Sequence, residues 1–220
     1  PSPHRFCMKL VDDEIREWEL CNNHEYFRGG SGSDPADLVG AALSIEIEAA
    51  RHLGKKFFGV LIDVTKCYDY LEWYLLADRC SATDFPEDVL NLALDTFRAA
   101  RRLSVDGEVS DQIWAGRSIV AGCGTATRLL RAFLLPLLSS FQKDERHIGL
   151  KLTDWVDDIM ITGSGTLNAA RGVRDGADFV CSWLVKQKLK VSKKSEGVGS
   201  SKAGNDIIKM GLTKWDVDTS

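Results

Sequence analysis

Aspartates stand at the predicted ends of strands in two distant parts of the chain, where their carboxylates could bind divalent metal ions. Asp63 follows the apolar run KKFFGVLI, and the adjacent Asp157 and Asp158 lie within LTDWVDDIMITG, close to Asp154. Adjacent carboxylates between apolar runs repel each other and lose hydration. Two Mg²⁺ ions would offset this cost, and they could activate an attacking oxygen and stabilise a leaving phosphate oxygen. Aspartate pairs also occur in purely structural turns, so the pair alone leaves both interpretations open.

The hydrophobic pattern predicts the elements that must hold these aspartates. A helix over 36–53 ends at Gly54 and precedes a buried strand over 55–64. The remaining predicted elements are helices over 68–80, 86–103 and 126–141 (interrupted or kinked by Pro136), hairpins with turns at 106–107 and 156–157, a helix over 166–187, strands over 189–192 and 206–212, and a loop over 194–204. This order predicts an α+β fold in which an antiparallel sheet is backed by helices.

The composition excludes several classes of protein. The chain is 44% hydrophobic and 27% charged, so it can bury a core, and it has no apolar run long enough to span a bilayer. Its six cysteines lack zinc or disulfide spacing, which favours reduced thiols, an intracellular location and no membrane partner. The net charge of −4 is unusual for a nucleic-acid binder, but five lysines stand between Lys186 and Lys194.

Five segments resemble the palm and fingers of reverse transcriptases in their order and spacing along the chain. The resemblance is greatest to the enzymes of non-LTR retrotransposons and group II introns. The segment 63–69 reads DVTKCYD, similar to the family's D-x-x-[KG]-[AC]-[FY]-D, and 155–158 reads WVDD, its aspartate-pair motif. A glycine-containing turn at Gly122 precedes a helix, as in the family. Residues 194–195 match the Lys-[TS] stretch of the family pattern. EYFRGGSGSDPADL, residues 25–38, resembles its finger segment.

The resemblance covers residues 24–212 and implies an RNA-directed DNA polymerase. Such an enzyme extends a primer strand with dNTPs on an RNA or DNA template. We expect partial fingers over 1–54, with a Gly/Ser-rich loop over 27–35, a palm with the remaining finger elements over 55–212, and a C-terminal tail over 213–220. The helical thumb is missing from this pattern, so we expect the chain to be part of a longer polyprotein.

The resemblance also implies which residues perform the catalysis. Asp63, Asp157 and Asp158 would bind two Mg²⁺ ions, which Mn²⁺ could replace, and the carbonyl of Val64 would join the second ion. Lys194 would donate a proton to the leaving pyrophosphate or neutralise its charge; a solvated lysine at a strand end is the plain alternative.

Substrate-binding roles are implied for four other residues. Tyr68 would lie under the sugar of the incoming nucleotide and exclude a 2′-hydroxyl, although it could instead be a core residue at a helix start. Arg28 would contact the template or the triphosphate, or be an ordinary loop arginine. Gly122 and Cys123 would lie near the template or nucleotide.

Two departures from the family pattern keep other functions open. Residues 120–123 read VAGC where the family usually has P-Q-G-[SD], and Gly32 stands where an arginine is common. The missing amide favours a catalytically decayed nucleic-acid-binding module with the palm fold. A further alternative is an unrelated α+β structural domain whose acidic turn is merely solvated.

Overall fold

The computed structural model describes residues 10–28, 36–120, 123–215 and the backbone of 218–219. Contacts divide the chain into a first unit, residues 1–23 and 66–133, and a second unit, residues 24–65 and 134–220. The domain boundaries predicted after residues 54 and 212 stay a prediction.

The helices and strands follow in chain order. The helices are α1 (Asp12–Cys21), α2 (Ala36–His52), α3 (Cys67–Tyr70), α4 (Trp73–Ala82), α5 (Glu87–Arg98), α6 (Ala126–Lys143), α7 (Leu167–Lys186) and α8 (Lys202–Leu212). The strands are β1 (Lys56–Asp63), β2 (Ser104–Val105), β3 (Glu108–Val109), β4 (Lys151–Trp155), β5 (Asp158–Gly165), β6 (Glu196–Gly199) and β7 (Asp218–Thr219). Within these described segments, no helix has the length and apolar character required to cross a membrane.

The first unit is built from helices and a short hairpin. Helix α5 buries apolar residues at helical spacing, from Val89 to Phe97, which are the positions that its sequence pattern predicts. The hairpin β2–β3 turns at Asp106 and Gly107, both with positive φ, as the Asp-Gly pair predicts.

Of the helices predicted in the first unit, one is broken into two and another is shorter than predicted. The helix predicted over 68–80 is broken at Leu71, because the Leu71 carbonyl accepts a hydrogen bond from the Ser118 N–H (3.1 Å) instead of continuing the helix. The helix predicted over 86–103 ends at Arg98, because Arg101 pairs through its backbone with Ile113 and so belongs to the hairpin region.

The second unit contains a five-stranded sheet in the order β4-β5-β1-β6-β7. The first four strands are antiparallel, and β7 joins β6 in parallel through Glu196 and Asp218. One face of the sheet carries buried aliphatic residues such as Val60, Ile62 and Ile161, and α7 packs on this face. Each such side chain contributes about 1.5–3 kcal/mol when fully buried. The predicted α+β class with an antiparallel sheet backed by helices is confirmed.

The C-terminal third of the sheet region departs from the prediction. The strand predicted over 189–192 is only a single bridge between Val64 and Val191, and the loop predicted over 194–204 contains β6. The strand predicted over 206–212 is wrong: this segment is helical and belongs to α8. A short apolar run cannot distinguish strand from helix by itself, and Ser201, whose hydroxyl accepts from the Gly204 N–H (3.3 Å), begins a helix here.

Of the two effects predicted for Pro136 in helix α6, a kink or an interruption, the interruption is wrong. The helix continues without interruption from Ala126 to Lys143, with Pro136 inside it. The Pro136 carbonyl accepts a hydrogen bond from the Ser140 hydroxyl (2.7 Å) within the following turn.

Candidate functional site

The three predicted metal-binding carboxylates meet at one corner of the sheet in the second unit. Asp63 ends β1, Asp158 begins β5, and the two residues are direct partners across the antiparallel pair. Directly paired residues project from the same face of a sheet. Asp157 precedes Asp158 in the turn between β4 and β5, and all three residues are half-buried. Folding therefore brings together side chains that are more than ninety positions apart in the sequence.

The carboxyl groups at this corner affect one another electrostatically. The pKa of Asp157 is raised above its ordinary value, mainly by burial, and the negative charge of Asp63 adds to this effect. The pKa of Asp158 is also raised, first by burial and then by the charges of Asp157 and Asp63. Because each charge disfavours the others, a bound cation would stabilise the ionised forms.

The donor atoms at this corner fit a hard divalent cation, although the carboxylates do not form a closed cage. Among the residues that the structure describes, no three His, Cys, Asp or Glu side chains are already arranged to hold a metal ion. Mg²⁺ is commonly bound by one or two carboxylates, together with water and substrate phosphates, rather than by an all-protein cage. The neighbouring carboxylates thus supply suitable ligands for an ion that arrives with its own water or phosphate.

The turn that carries Asp157 is conformationally strained. Val156, the first residue of the two-residue connection, has a φ of 64°, in the left-handed region. Hairpin turns require such angles, but glycine or asparagine normally provides them. A β-branched residue there costs on the order of 1–3 kcal/mol, and such strain is concentrated at functional sites. The sequence signal was a valine at a position that needs positive φ, and the sequence analysis missed it.

The backbone of Asp63 is held by a neighbouring turn. Its N–H donates to the Ser195 hydroxyl (3.1 Å), and its carbonyl accepts from the Ser192 N–H (2.8 Å) and the Ser195 hydroxyl (3.3 Å). Ser195 is completely buried, and its own N–H donates to the Ser192 carbonyl (3.0 Å), which closes the turn. Ser192 and Ser195 are therefore positioning residues; Ser195 was identified from the sequence only as part of the Lys-[TS] match, and Ser192 was not identified.

Lys194 and Val64 are placed by the same contacts. Lys194 is exposed in the turn between Ser192 and Ser195, and its N–H donates to the Ser192 hydroxyl (3.2 Å). Because backbone groups alternate along a strand and those of Asp63 face Ser192 and Ser195, the Val64 carbonyl faces the opposite edge, toward β5. The structure thus puts both residues beside Asp63.

Asp154 does not belong to the carboxylate corner. It pairs with Ile159, so its side chain lies on the buried face of the sheet, and only 1% of the residue is exposed. Its backbone instead anchors the segment with Arg28: the Asp154 N–H donates to the Tyr26 carbonyl (2.8 Å), and the Arg28 N–H donates to the Asp154 carbonyl (2.9 Å).

Arg28 lies over the sheet face from which Asp158 projects. Together with Lys151, Thr153 and Met160 it lines a cavity of about 110 Å³. Met160 is two residues from Asp158 on β5, and alternate strand residues share a face. Arg28 and Lys151 therefore place positive charge on the face that carries the carboxylates; Lys151 itself forms an ion pair with Glu46 of α2.

The other predicted substrate-binding residues lie in the first unit or outside the described residues. Tyr68 is half-buried in α3, and its carbonyl accepts from the Ile119 N–H (2.8 Å). Cys123 is buried, with its Sγ 3.1 Å from the Thr125 hydroxyl. Gly122 is outside the described residues. The substrate contacts expected for Tyr68, Gly122 and Cys123 stay predictions.

Comparison with solved structures identifies proteins of similar fold. Apo telomerase from Candida tropicalis matches with a TM-score of 0.60 and 11% identity over 91% of this chain and 37% of that chain. Telomerase from the same species in complex with the TWJ fragment of telomeric RNA matches with a TM-score of 0.58, 11% identity, and coverage of 91% and 34%. Telomerase from Candida albicans in complex with the TWJ fragment of telomeric RNA matches with a TM-score of 0.53 and 12% identity over 87% of this chain and 35% of that chain.

These similarities concern the fold. They confirm the predicted resemblance at the level of a distant reverse-transcriptase-like fold, whereas the non-LTR or group II type stays a prediction. The chain spans roughly a third to two-fifths of the length of these telomerase chains. Neither a protein-family model nor a curated protein matches the sequence.

Proposed function

We propose that the chain is the polymerase domain of an RNA-directed DNA polymerase, which extends a primer 3′-hydroxyl with deoxynucleoside triphosphates. One observation carries this proposal: Asp63 and Asp158 are direct partners at the end of the sheet, with Asp157 beside them. The similarity of the fold to telomerase supports the same reaction class. The reaction joins the primer oxygen to the α-phosphorus and releases pyrophosphate.

The metal ligands in this proposal are Asp63, Asp157, Asp158 and the Val64 carbonyl. Two bound Mg²⁺ ions would lower the pKa of the primer hydroxyl and compensate the charge on the phosphates. Ser192 fixes the Asp63 backbone and so holds the Asp63 side chain on the sheet face that it shares with Asp158. The contribution of these residues is positioning and charge placement, which dominate catalysis of phosphoryl transfer.

Cationic and aromatic residues bind the nucleotide in this proposal. Lys194 stabilises the leaving pyrophosphate, either by its charge or by donating a proton. Arg28 binds phosphate oxygens through its forked guanidinium, and its place on the sheet face of Asp158 supports this role. Tyr68 excludes a 2′-hydroxyl from the sugar site, so that deoxynucleotides are preferred. Cys123 and Gly122 lie near the template.

The structure also bears on the alternatives. An unrelated structural domain would have no reason to share the telomerase fold over nine-tenths of its length. A decayed nucleic-acid-binding module would share that fold, but it would have no need to retain the repulsion among three carboxylates and a strained Val156. The unfavourable free energy of the charge repulsion and of the strained Val156 backbone therefore favours an active metal site. Origin in a retrotransposon polyprotein and an intracellular location, where nucleoside triphosphates occur, are part of the same proposal.

Primer extension tests this proposal. Wild type, Asp157→Asn and Asp175→Asn are assayed with poly(rA)/oligo(dT), deoxythymidine triphosphate and Mg²⁺. Asp175 is exposed on α7 and serves as a matched loss of one charge. We expect Asp157→Asn to lower the rate by about 10²-fold or more, the range found when one electrostatic stabiliser of a transition state is removed, and Asp175→Asn to retain it. A wild type that binds the duplex without extending it would instead identify the decayed module.

A further inference from the structure

Helix α2 of the second unit presents a stripe of aliphatic side chains to solvent. This α2 stripe consists of Leu38, Ala41, Ile45, Ala49 and, directly after the helix, Leu53, and all five residues are exposed. The exposed fractions of Leu38, Ile45 and Leu53 are 56%, 68% and 68%. Residues three and four positions apart lie on one side of a helix, so these side chains form one continuous surface.

The sheet covers only part of the apolar side of α2. Val39, Leu43 and Glu46 line the cavity beside Arg28, and they identify the side of the helix that faces the sheet. Leu43 lies about 160° from Ile45 around the helix axis, because each residue turns the helix by about 100°. Ile45 therefore points away from the sheet. The apolar surface of α2 is wider than the contact that it makes, which indicates a second contact surface.

Charges of opposite sign stand at the two ends of α2. Asp37 is in its first turn and Arg51 is in its last turn, and the exposed Lys55 and Lys56 follow. The interaction of these charges with the helix dipole explains their signs but not the exposed stripe. Arg51 lies 4.0 Å from Glu48 of the same helix, but such an exposed ion pair contributes little, so Arg51 can bind another carboxylate.

The apolar side chains of the stripe are complementary to a second copy of the stripe in antiparallel orientation. With the two Ile45 side chains in contact on a twofold axis, each position before 45 lies opposite the position equally far after it. Ala41 of one copy then faces Ala49 of the other, and Leu38 faces the region of Leu53. Every contact occurs twice, as in the isologous interfaces of symmetric dimers.

The same register brings unlike charges together. Asp37 of one copy lies near Arg51 of the other, because these residues stand at similar distances on either side of Ile45. Glu46 lies close to the twofold axis, but its charge is compensated by the ion pair with Lys151. A parallel arrangement of the two helices would instead place like charges beside each other at both ends.

A cavity beside the stripe can receive an apolar side chain from the second copy. It has a volume of about 290 Å³, and its lining includes Ala49, Ala50, Leu53 and Phe57. Because Leu38 of the second copy lies opposite Leu53 in the antiparallel register, this leucine reaches the rim of the cavity. Helix α2 is about 25 Å long, so the interface is small for a specific contact and the association is reversible.

We propose that two copies of this chain associate through the α2 stripe as an antiparallel dimer with twofold symmetry. No residue of the stripe belongs to the carboxylate corner. The proposal is therefore independent of the polymerase function: a dimer without polymerase activity would refute that function alone, and an active monomer would refute the dimer alone.

Sedimentation equilibrium of the full chain over a range of concentrations, under reducing conditions, tests the dimer. Ile45→Ser is compared with wild type and with Leu20→Ser, which removes an exposed aliphatic side chain from α1. We expect wild type and Leu20→Ser to be in the same monomer–dimer equilibrium. The dimer dissociation constant of Ile45→Ser should rise at least about tenfold, because the dimer buries this side chain in both copies. Thermal unfolding confirms that each variant is folded.

Charge reversal tests the antiparallel register. Asp37→Arg and Arg51→Asp should each raise the dissociation constant by about threefold or more, since each disrupts two exposed ion pairs per dimer. The double variant should restore the wild-type value, because both pairs form again with their signs exchanged. Asp13→Arg, at an exposed position in the first turn of α1, makes the same change of charge and should leave the dissociation constant unchanged.

Disulfide cross-linking tests the position of the twofold axis. Only a residue near this axis can form a disulfide with the same residue of the second copy, because the two Cα atoms must lie within about 7 Å. We expect a covalent dimer from oxidised Ile45→Cys but not from Ile47→Cys, which lies on the opposite side of α2. Wild type provides the background, since Cys21 is exposed.

Four results would overturn the proposal. Wild type could remain monomeric even at about 0.1 mM, a concentration that detects weak association, and the stripe would then belong to a different partner. Ile45→Ser could dissociate no more readily than Leu20→Ser. The double charge reversal could remain as weak as the single ones. Ile47→Cys could form the covalent dimer as efficiently as Ile45→Cys.

Discussion

At the residue scale, the carboxylate corner keeps groups that weaken the fold when no cation is bound. The pKa values of Asp157 and Asp158 are raised, and Val156 adopts a backbone angle that suits glycine. Each feature is unfavourable for folding alone, and both occur within three consecutive residues. Both features are explained if a ligand binds at this turn and its binding free energy offsets the charge repulsion and the backbone strain.

Removing one charge from the corner should stabilise the metal-free protein. A raised pKa means that the folded state holds the Asp157 proton more tightly than the unfolded state does. The ionised carboxylate therefore costs stability above that pKa, and the cost disappears as the pH falls through it. We expect Asp157→Asn to raise the free energy of unfolding by a few tenths to about 1 kcal/mol near neutral pH, a range discounted for solvent screening of a half-exposed group.

Urea unfolding in EDTA checks this expectation. The advantage of Asp157→Asn over wild type should shrink as the pH is lowered from neutral into the acid range, because the raised pKa lets the wild-type carboxyl group take up its proton in the folded state first. A variant that is less stable than wild type at neutral pH would show that the ionised carboxylate contributes favourably to the fold, and the charge-repulsion argument would be wrong.

Glycine at position 156 should relieve the backbone strain. The left-handed angle of Val156 costs about 1–3 kcal/mol, and glycine gives back about 0.5–1 kcal/mol through its greater entropy in the unfolded chain. We expect Val156→Gly to raise the free energy of unfolding by roughly 0.5–1 kcal/mol. Val185→Gly, at an exposed position near the end of helix α7, should lower it by roughly 0.3–0.5 kcal/mol. If Val156→Gly and Val185→Gly both lower the free energy of unfolding, the Val156 backbone is not strained.

At the scale of the elements, the sequence analysis was most accurate where a pattern was long or repeated. The strand β1, the hairpin β4–β5 and the helix α7 follow from their apolar spacing. The shared metal-binding role of Asp63, Asp157 and Asp158 followed from the resemblance, whereas the direct pairing of Asp63 with Asp158 is known only from the structure. Helix α8 was missed because its apolar run is short. The hydrogen bonds of Ser195 to Asp63 join residues 132 positions apart, and no local pattern contains that information.

Removal of the Ser195 hydroxyl should weaken the attachment of the turn to β1. In Ser195→Ala, the Asp63 N–H loses its acceptor, the hydroxyl of a completely buried serine, and leaving such a group unsatisfied costs about 1–3 kcal/mol. Ser200 provides a matched control, because its hydroxyl accepts from the Phe57 N–H (2.9 Å) at an exposed site of the same strand. We expect Ser200→Ala to cost less than about 1 kcal/mol in chemical denaturation. Equal costs would show that burial of the Ser195 contact is unimportant.

In the first unit, an ion-pair network attaches α1 to α6. Arg128 forms ion pairs with Asp12 and with Glu19 (3.2 Å), and Arg131 pairs with Glu19 (3.1 Å). Arg128 and Glu19 are largely buried, with side-chain exposures of 7% and 14%. Glu19→Gln leaves two buried guanidinium groups without their shared carboxylate, so we expect a loss of about 3 kcal/mol.

Chemical denaturation of Glu19→Gln and Glu17→Gln checks this network. Glu17 lies on the same helix and is exposed, so its substitution should change stability by less than about 0.5 kcal/mol. If Glu19→Gln is as stable as Glu17→Gln, the ion pairs contribute little and the attachment of α1 depends on apolar contacts such as those of Ile15 and Trp18.

At the scale of the whole molecule, the net charge and the placement of the charges argue in opposite directions about a nucleic-acid partner. The acidic balance argues mildly against a nucleic-acid partner, whereas five lysines stand between Lys186 and Lys194, and Lys194 lies in the turn that holds the Asp63 backbone. The sequence showed the five lysines as a run. Only the structure shows that Leu189 and Val191, between these lysines, are buried and that Val191 forms a bridge with Val64.

The most direct test of the account is an equilibrium titration with Mn²⁺, followed by the electron paramagnetic resonance signal of the free ion. Wild type, Asp157→Asn and the control Asp175→Asn are titrated with and without a deoxynucleoside triphosphate. The account predicts that wild type and Asp175→Asn bind Mn²⁺, and that Asp157→Asn loses this binding while remaining folded. Equal Mn²⁺ binding by wild type and Asp157→Asn, or no binding by wild type even with the triphosphate, would contradict a metal site at residues 63, 157 and 158.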